Sequence, residues 1–232
     1  INRLQRLDSL KNEFLALVTH DIRTPLAVIA GFATTLRDRW PDLPEGVKLE
    51  SLDAILRNGR NLSRLVEEGL QLALIEANEL RYHFAPFDLA GEVQSTVKDF
   101  GVRDDTERFR VAIDERLPLA FGDQQRHWQV ITNLVSNAVK FSQPTDPIDV
   151  LVTRQGPMIQ ITVRDHGPGI AAEDRPKLFQ KYSRFGAAIE RDVRGNGLGL
   201  FISKSLVEAQ GGRIWVDSAY REGAYTIPVA DE

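Results

Sequence analysis

From Ile1 to about residue 78 the apolar residues recur at helical spacing with one interruption. Leu4, Leu7 and Leu10 lead into Phe14, Leu17, Val18, Ile22, Pro25, Ile29, Phe32 and Leu36, one continuous stripe to about Trp40. A helix over that stretch is roughly 60 Å long at about 1.5 Å per residue, and it cannot bury its stripe alone. Pro41-Asp42-Leu43-Pro44-Glu45-Gly46 breaks the pattern with two prolines and a glycine. A second helical pattern follows through Leu49, Leu52, Leu56, Leu62, Leu65, Val66, Leu70, Leu72 and Ile75, weakened slightly by Gly59 and Gly69. Two long helices on a short loop predict an antiparallel hairpin. One hairpin leaves an apolar face open. Two copies pairing into a four-helix bundle cover it, the alternative being one hairpin packed on the rest of its own chain.

On the first helix, Glu13, Ala16, His20, Arg23 and Ala27 fall opposite the stripe, which points His20 toward solvent. Asp21 sits beside it, and Thr24 lies four residues on, on the same face. Pro25 lacks the N–H its turn would use and predicts a kink just after His20. An exposed imidazole next to a carboxylate suits proton or phosphoryl chemistry, although a lone histidine reads better as a solvated surface group.

Composition narrows the partners. A formal net charge of -4 argues against a general nucleic-acid binder, which would carry basic excess. The chain has no cysteine, so disulfides and thiolate metal sites are excluded. It shows neither an apolar run long enough to span a bilayer nor a signal peptide. Because it opens on Ile1, already in helical pattern, we expect a C-terminal piece of a longer protein. Any sensor or membrane attachment would then come through the part upstream, and the expected location is cytoplasmic, tethered or not.

Past Glu76–Leu80 the pattern changes to short strands mixed with helices. The alternation at Arg81–Ala85 suggests a strand, Asp88 caps a helix to about Phe100, and Gly101–Glu107 reads as a loop. Further strands are expected at Phe109–Ile113, Ile148–Thr153, Met158–Arg164, Arg213–Asp217 and Ala224–Val229, with helices at Gln124–Phe141 and Leu198–Gln210. The region from Tyr220 to Val229 looks abbreviated, which leaves the end of the sheet open. Domains are therefore expected at 1–78 and 79–232.

Four motifs in the second domain carry chemistry. Asn133 and Asn137 share a face of the helix at 124–141, with Lys140 three residues on and Phe141 closing it. Amide oxygens suit Mg²⁺, and a lysine can hold a phosphate as a point charge. Asp165-His166-Gly167-Pro168-Gly169-Ile170 follows a strand; its carboxylate can accept from an adenine amino group and its glycines admit a ligand near the backbone. Taken alone it reads equally as a plain turn. Leu178 to Phe185 resembles the F-box of sensor histidine kinases, which implies Arg184 as a candidate γ-phosphate ligand, the alternative being a solvated basic residue in a loop. Gly195-Asn196-Gly197-Leu198-Gly199-Leu200 opens a helix whose first N–H groups make an anion site. It matches neither the P-loop nor the dinucleotide fingerprint. The charged stretch 171–194, between two glycine-rich turns, suggests a lid.

The runs H-D-x-R-T-P-L from His20, N-L-V-S-N-A-V-K-F from Asn133, D-H-G-P-G-I, L-F-Q-K-Y-S-R-F and G-N-G-L-G-L resemble, in order, the H, N, G1, F and G2 boxes of sensor histidine kinases. The resemblance covers nearly the whole chain. It implies a multi-domain α plus α/β protein: a helical hairpin forming a dimeric four-helix bundle, then a Bergerat-type (GHKL) α/β sandwich that binds ATP. It further implies His20 as phosphoacceptor and Asp21 as its general base. Asn133, Asn137 and Lys140 would hold Mg²⁺ and phosphates, Asn137 as metal ligand. Asp165, Gly167, Gly169 and Ile170 would line the adenine pocket, and Gly195, Gly197, Leu198 and Gly199 would face the phosphates. The implied partners are a second copy and a response-regulator receiver domain. His20 to Thr24 also resembles the family's H-[ED]-x-x-[TN] phosphatase motif, though a surface threonine bonding its own helix carbonyl fits nearly as well. Asp21 stands where Glu is frequent, His166 for Asn and Gln180 for Glu. The competing readings are a degenerate kinase acting as a dimeric nucleotide-binding scaffold, and a Bergerat-fold ATPase acting on protein conformation or DNA repair.

Overall fold

The computed structural model describes residues 22–104, 108–183, 196–217 and 222–229. His20, Asp21, Arg184 and Gly195 lie outside the described residues, as do the kink after His20 and the later part of the lid, 184–194. The chain divides into two compact units, Ile1–Leu80 and Arg81–Glu232.

In the first unit, helix α1 is described over 22–39 and a 3₁₀ turn, Trp40–Asp42, ends it. Helix α2 runs Glu45–Ala77 and stops where Asn78 turns left-handed at φ 57. Gly46, expected in the break, is the second residue of α2, where a missing side chain costs little. The second helix carries two stripes. Ser51, Ala54, Asn58, Gly69, Gln71 and Leu72 are buried, and Ser51 and Asn58 satisfy their polar groups on the carbonyls of Val47 and Ala54. Leu49, Leu52, Leu56, Val66 and Leu70 are exposed. With Gly59 and Ser63 between them, these follow the alternating three-four spacing of a coiled-coil seam.

In the second unit the elements are β1 (Ala85–Phe87), α3 (Leu89–Asp104), β2 (Phe109–Ile113), β3 (Ala120–Gly122), α4 (Gln124–Phe141), β4 (Ile148–Gln155), β5 (Met158–Arg164), α5 (Gly199–Ala209), β6 (Arg213–Asp217) and β7 (Glu222–Pro228). The main sheet has the order β2-β4-β5-β7-β6, with β2 and β4 parallel and the other pairs antiparallel; β1 and β3 form a separate ribbon. Cross-strand partners Val152, Ile161, Tyr225 and Ile214 form one buried row on the face covered by helices. Ile159 and Ile227 form the next. This is a helical hairpin followed by a mixed α/β sheet domain.

Three expectations are corrected. The strand sought at Arg81–Ala85 lies at Ala85–Phe87, and the alternation before it comes from Tyr82 and Phe84, whose rings pack in a row ending on Phe121. The loop from Gly101 begins later, because α3 continues to Asp104 and Gly101 is buried in it. The last strand is not curtailed: β7 spans seven residues and sits between β5 and β6, inside the sheet.

Candidate functional site

Helix α4 carries the site. Asp123 caps it, accepting from the N–H of Arg126 at 3.2 Å and of His83 at 2.8 Å, while its own N–H donates to buried Gln210 at 2.6 Å. Its apolar face, Val130, Ile131, Leu134, Val135 and Ala138, is buried. That leaves Asn133 and Asn137 half-buried and Lys140 exposed in the last turn, where a cation complements the helix dipole.

Each glycine motif meets this helix or the other motifs at atomic distance. A Cβ on Gly199 would lie 2.5 Å from Asn133 Oδ1. A Cβ on Gly167 would lie 2.7 Å from the Phe141 carbonyl, so the Asp165 turn is seated on the end of α4. Gly197, at φ +68, would strike the backbone of Tyr182 and Ser183 at 2.6–2.8 Å, and Tyr182 is itself left-handed at φ 61. Lys181 lies 5.2 Å over the Phe201 ring of α5. Asp165 Oδ1 accepts from the Gly167 N–H at 2.8 Å, and Asn196 Oδ1 from Leu198 at 3.1 Å, which fixes both turns. His166 contacts the Pro147 carbonyl through Nδ1 at 3.0 Å. Arg108, almost fully buried, donates to the carbonyls of Asp146 and Gln143 and to Ser142 Oγ, clamping the loop that leaves α4. Gly169 is left-handed at φ 76, Ile170 is half-buried beside it and Leu198 is buried. In the first unit, Thr24 is exposed.

Sequence reasoning missed Ser203 and Arg108. Ser203 Oγ accepts from Asn133 Nδ2 at 2.9 Å. The signal was present: Gly199 and Ser203 are four apart on α5, as Asn133 and Asn137 are on α4.

A second feature lies about 14–20 Å from Asn137 along α4 at 1.5 Å per residue. Between the starts of α3 and α4 is a cavity of about 720 Å³ lined by Asp88, Glu92, Thr96, Asp123, Gln124 and Trp128, among others. It is not where the motifs converge. Behind it the His127 ring is buried between Phe87 and Tyr225 at 5.3 and 6.3 Å. Burial lowers His127 to about 4, against the pull of Asp123. Burial raises Glu92 to about 7; Gln124 eases the charge without a hydrogen bond to either carboxylate oxygen, and Asp88 adds to the shift. Tyr225 is raised, by burial first and by Glu92 second.

Two family models match the chain. Residues 10–78 match the His Kinase A (phospho-acceptor) domain, and residues 122–229 match the histidine kinase-, DNA gyrase B- and HSP90-like ATPase. Together they cover more than half of the chain. The chain belongs to the histidine kinase family. It is 32% identical over 234 residues to the circadian input-output histidine kinase CikA of Synechococcus elongatus, covering 98% of this chain and 31% of that protein. Across the first curated relatives it spans 24–38% of their length. The solved structure of Acinetobacter baumannii histidine kinase AdeS is similar at 25% identity and TM-score 0.69, covering 91% of this chain and 97% of that one. Full-length ShkA, solved in complex with AMPPNP, is similar at 25% identity and TM-score 0.68, covering 95% and 46%.

Proposed function

We propose that this chain phosphorylates its own His20 from ATP and passes the phosphoryl group to an aspartate of a response-regulator receiver domain. The observation that carries the reading is convergence. Asn133 and Phe141 of one helix abut Gly199 and Gly167 of two separate turns, and Gly197 abuts the Tyr182–Ser183 backbone. Residues 79–232 would bind the nucleotide and 1–78 would dimerise and carry the phosphoryl group.

Asp165, oriented by Gly167, would accept from the adenine amino group, with Gly169 and Ile170 lining that end. Lys140, Gly195, Gly197, Leu198 and the first N–H groups of α5 would hold phosphates, and Arg184 the γ-phosphate. An imidazole nitrogen of His20 attacks the γ-phosphorus in line, the bond to the β-phosphate oxygen breaks with its electron pair leaving on ADP, and Asp21 takes the imidazole proton. The receiver carboxylate then attacks the same phosphorus and the N–P bond breaks. Among the described residues no cluster of three His, Asp or Glu exists to hold a metal. The half-buried Asn137 amide fits an ion that takes one protein oxygen and completes its shell with phosphates and water, the habit of Mg²⁺. Such an ion would neutralise charge on the phosphates.

The exposed seam of α2 supports a homodimer through four helices. Among the described residues no helix is long and apolar enough to cross a membrane. We place the reaction in the cytoplasm, where ATP and a receiver meet.

Calorimetry with Mg²⁺ and ATP tests the site. Wild type should bind, Asn137→Ala should bind more weakly, and Asp165→Asn should lose preference for adenine over guanine. A hundredfold excess of ligand over its dissociation constant should stabilise the fold by about 2.7 kcal/mol. Wild-type protein that takes up no nucleotide refutes the reading.

A further inference from the structure

We infer that Ser203 is a positioning residue for the phosphate end of the nucleotide site, acting through Asn133; this rests on the nucleotide reading above. The Asn133 amide is held between two residues one turn apart on α5. Its Nδ2 donates to Ser203 Oγ at 2.9 Å, and its Oδ1 lies only 2.5 Å from where a Gly199 Cβ would be. Gly199 is not among the residues with positive φ, so its backbone does not require glycine. The absent side chain is therefore accounted for by Asn133.

The orientation of the amide follows from where it sits. The start of α5 is the positive end of that helix, so the amide oxygen belongs against Gly199 and the amino group against Ser203. Ser203 is 2% exposed, and water has little access to replace its hydroxyl. Without that hydroxyl, Asn133 keeps a half-buried donor unpaired and loses its fixed direction. The consequence falls on geometry. Asn137 and Lys140 ride on α4, while the phosphate-facing N–H groups ride on the first turn of α5. The Asn133–Ser203 bond, with its seat on Gly199, sets one group of phosphate ligands against the other. The adenine end, at Asp165 and Gly167, is instead seated on the Phe141 carbonyl, eight residues along α4 from Asn133.

That separation gives the test. Affinities for ATP, ADP and adenosine are measured by calorimetry on wild type, Ser203→Ala, Asn133→Ala and the double variant. Ser203→Ala should lose about tenfold in ATP and ADP affinity, the scale of one buried hydrogen bond, and keep its adenosine affinity. Asn133→Ala should lose at least as much, and the double variant no more than Asn133→Ala, because both remove one brace. Should Ser203→Ala fail to fold, Ser203→Cys keeps the volume with a poor acceptor and should show the same selective loss. Variants that bind ATP like wild type, or that lose adenosine in proportion to ATP, overturn the assignment alone. Wild-type protein that binds neither ATP nor adenosine overturns the nucleotide reading and this assignment with it.

Discussion

Replacing Glu92 with glutamine should make the second unit more stable at high pH and change little at low pH. Glu92 is 8% exposed, neither of its oxygens has a hydrogen-bond partner, and Asp88 adds like charge. Burial therefore raises its carboxyl from 4.5 to about 7. Between those values the folded protein keeps a proton that the unfolded chain has lost, so stability falls as pH rises through the window. The ceiling is about 3.4 kcal/mol, and the part expressed between pH 5 and pH 8 is about 2.5 kcal/mol. His127 works in the opposite sense: lowered from 6.5 to about 4, it weakens the fold as pH falls through that range. It is present in both proteins, and its contribution cancels in their difference. Urea unfolding of wild type and Glu92→Gln at pH 5, 6, 7 and 8 gives the comparison. The variant should gain about 2–3 kcal/mol relative to wild type between pH 5 and 8. A difference that does not change with pH would show that the Glu92 carboxyl titrates normally in the folded state.

Gly199→Ala should displace the Asn133 amide, costing about 1 kcal/mol of stability and weakening ATP in the same selective way as Ser203→Ala; unfolding curves and calorimetry check it. Leu70 is 61% exposed in the single chain, so Leu70→Glu should shift equilibrium sedimentation from dimer toward monomer. An unchanged dimer would remove the seam from the interface. Wild type should hasten phosphate loss from a phosphorylated receiver, and Thr24→Ala should lose that effect while keeping autophosphorylation. Equal rates for wild type and variant would make Thr24 an ordinary helix residue.

Where the fold was legible, local chemistry decided it. The bounds of α4 follow from the Asp123 cap and a strong apolar face, and β5 from alternation, since both signals are contained in the element itself. What was illegible depends on distant partners. Strand β1 has three residues, one of them Pro86, and exists because it pairs with Ala120–Gly122. The alternation of Tyr82 and Phe84 is genuine, but it serves a stack on Phe121 and not a strand. The inside position of β7 depends on pairing with β5, some sixty residues earlier, which no local pattern announces. The site divides in the same way. Asparagine spacing and glycine-rich turns can be read from the chain. That Asn133 faces Gly199 and Ser203 needs two helices brought side by side.

The most direct test of the central claim is incubation with γ-labelled ATP and Mg²⁺, followed by acid and base treatment of the labelled protein. Wild type should take up label that is lost in acid and kept in base, as phosphohistidine requires. His20→Gln should take up none while binding ATP as wild type does, because an amide cannot replace the imidazole nucleophile. Label that survives acid, or undiminished labelling of His20→Gln, would contradict the account.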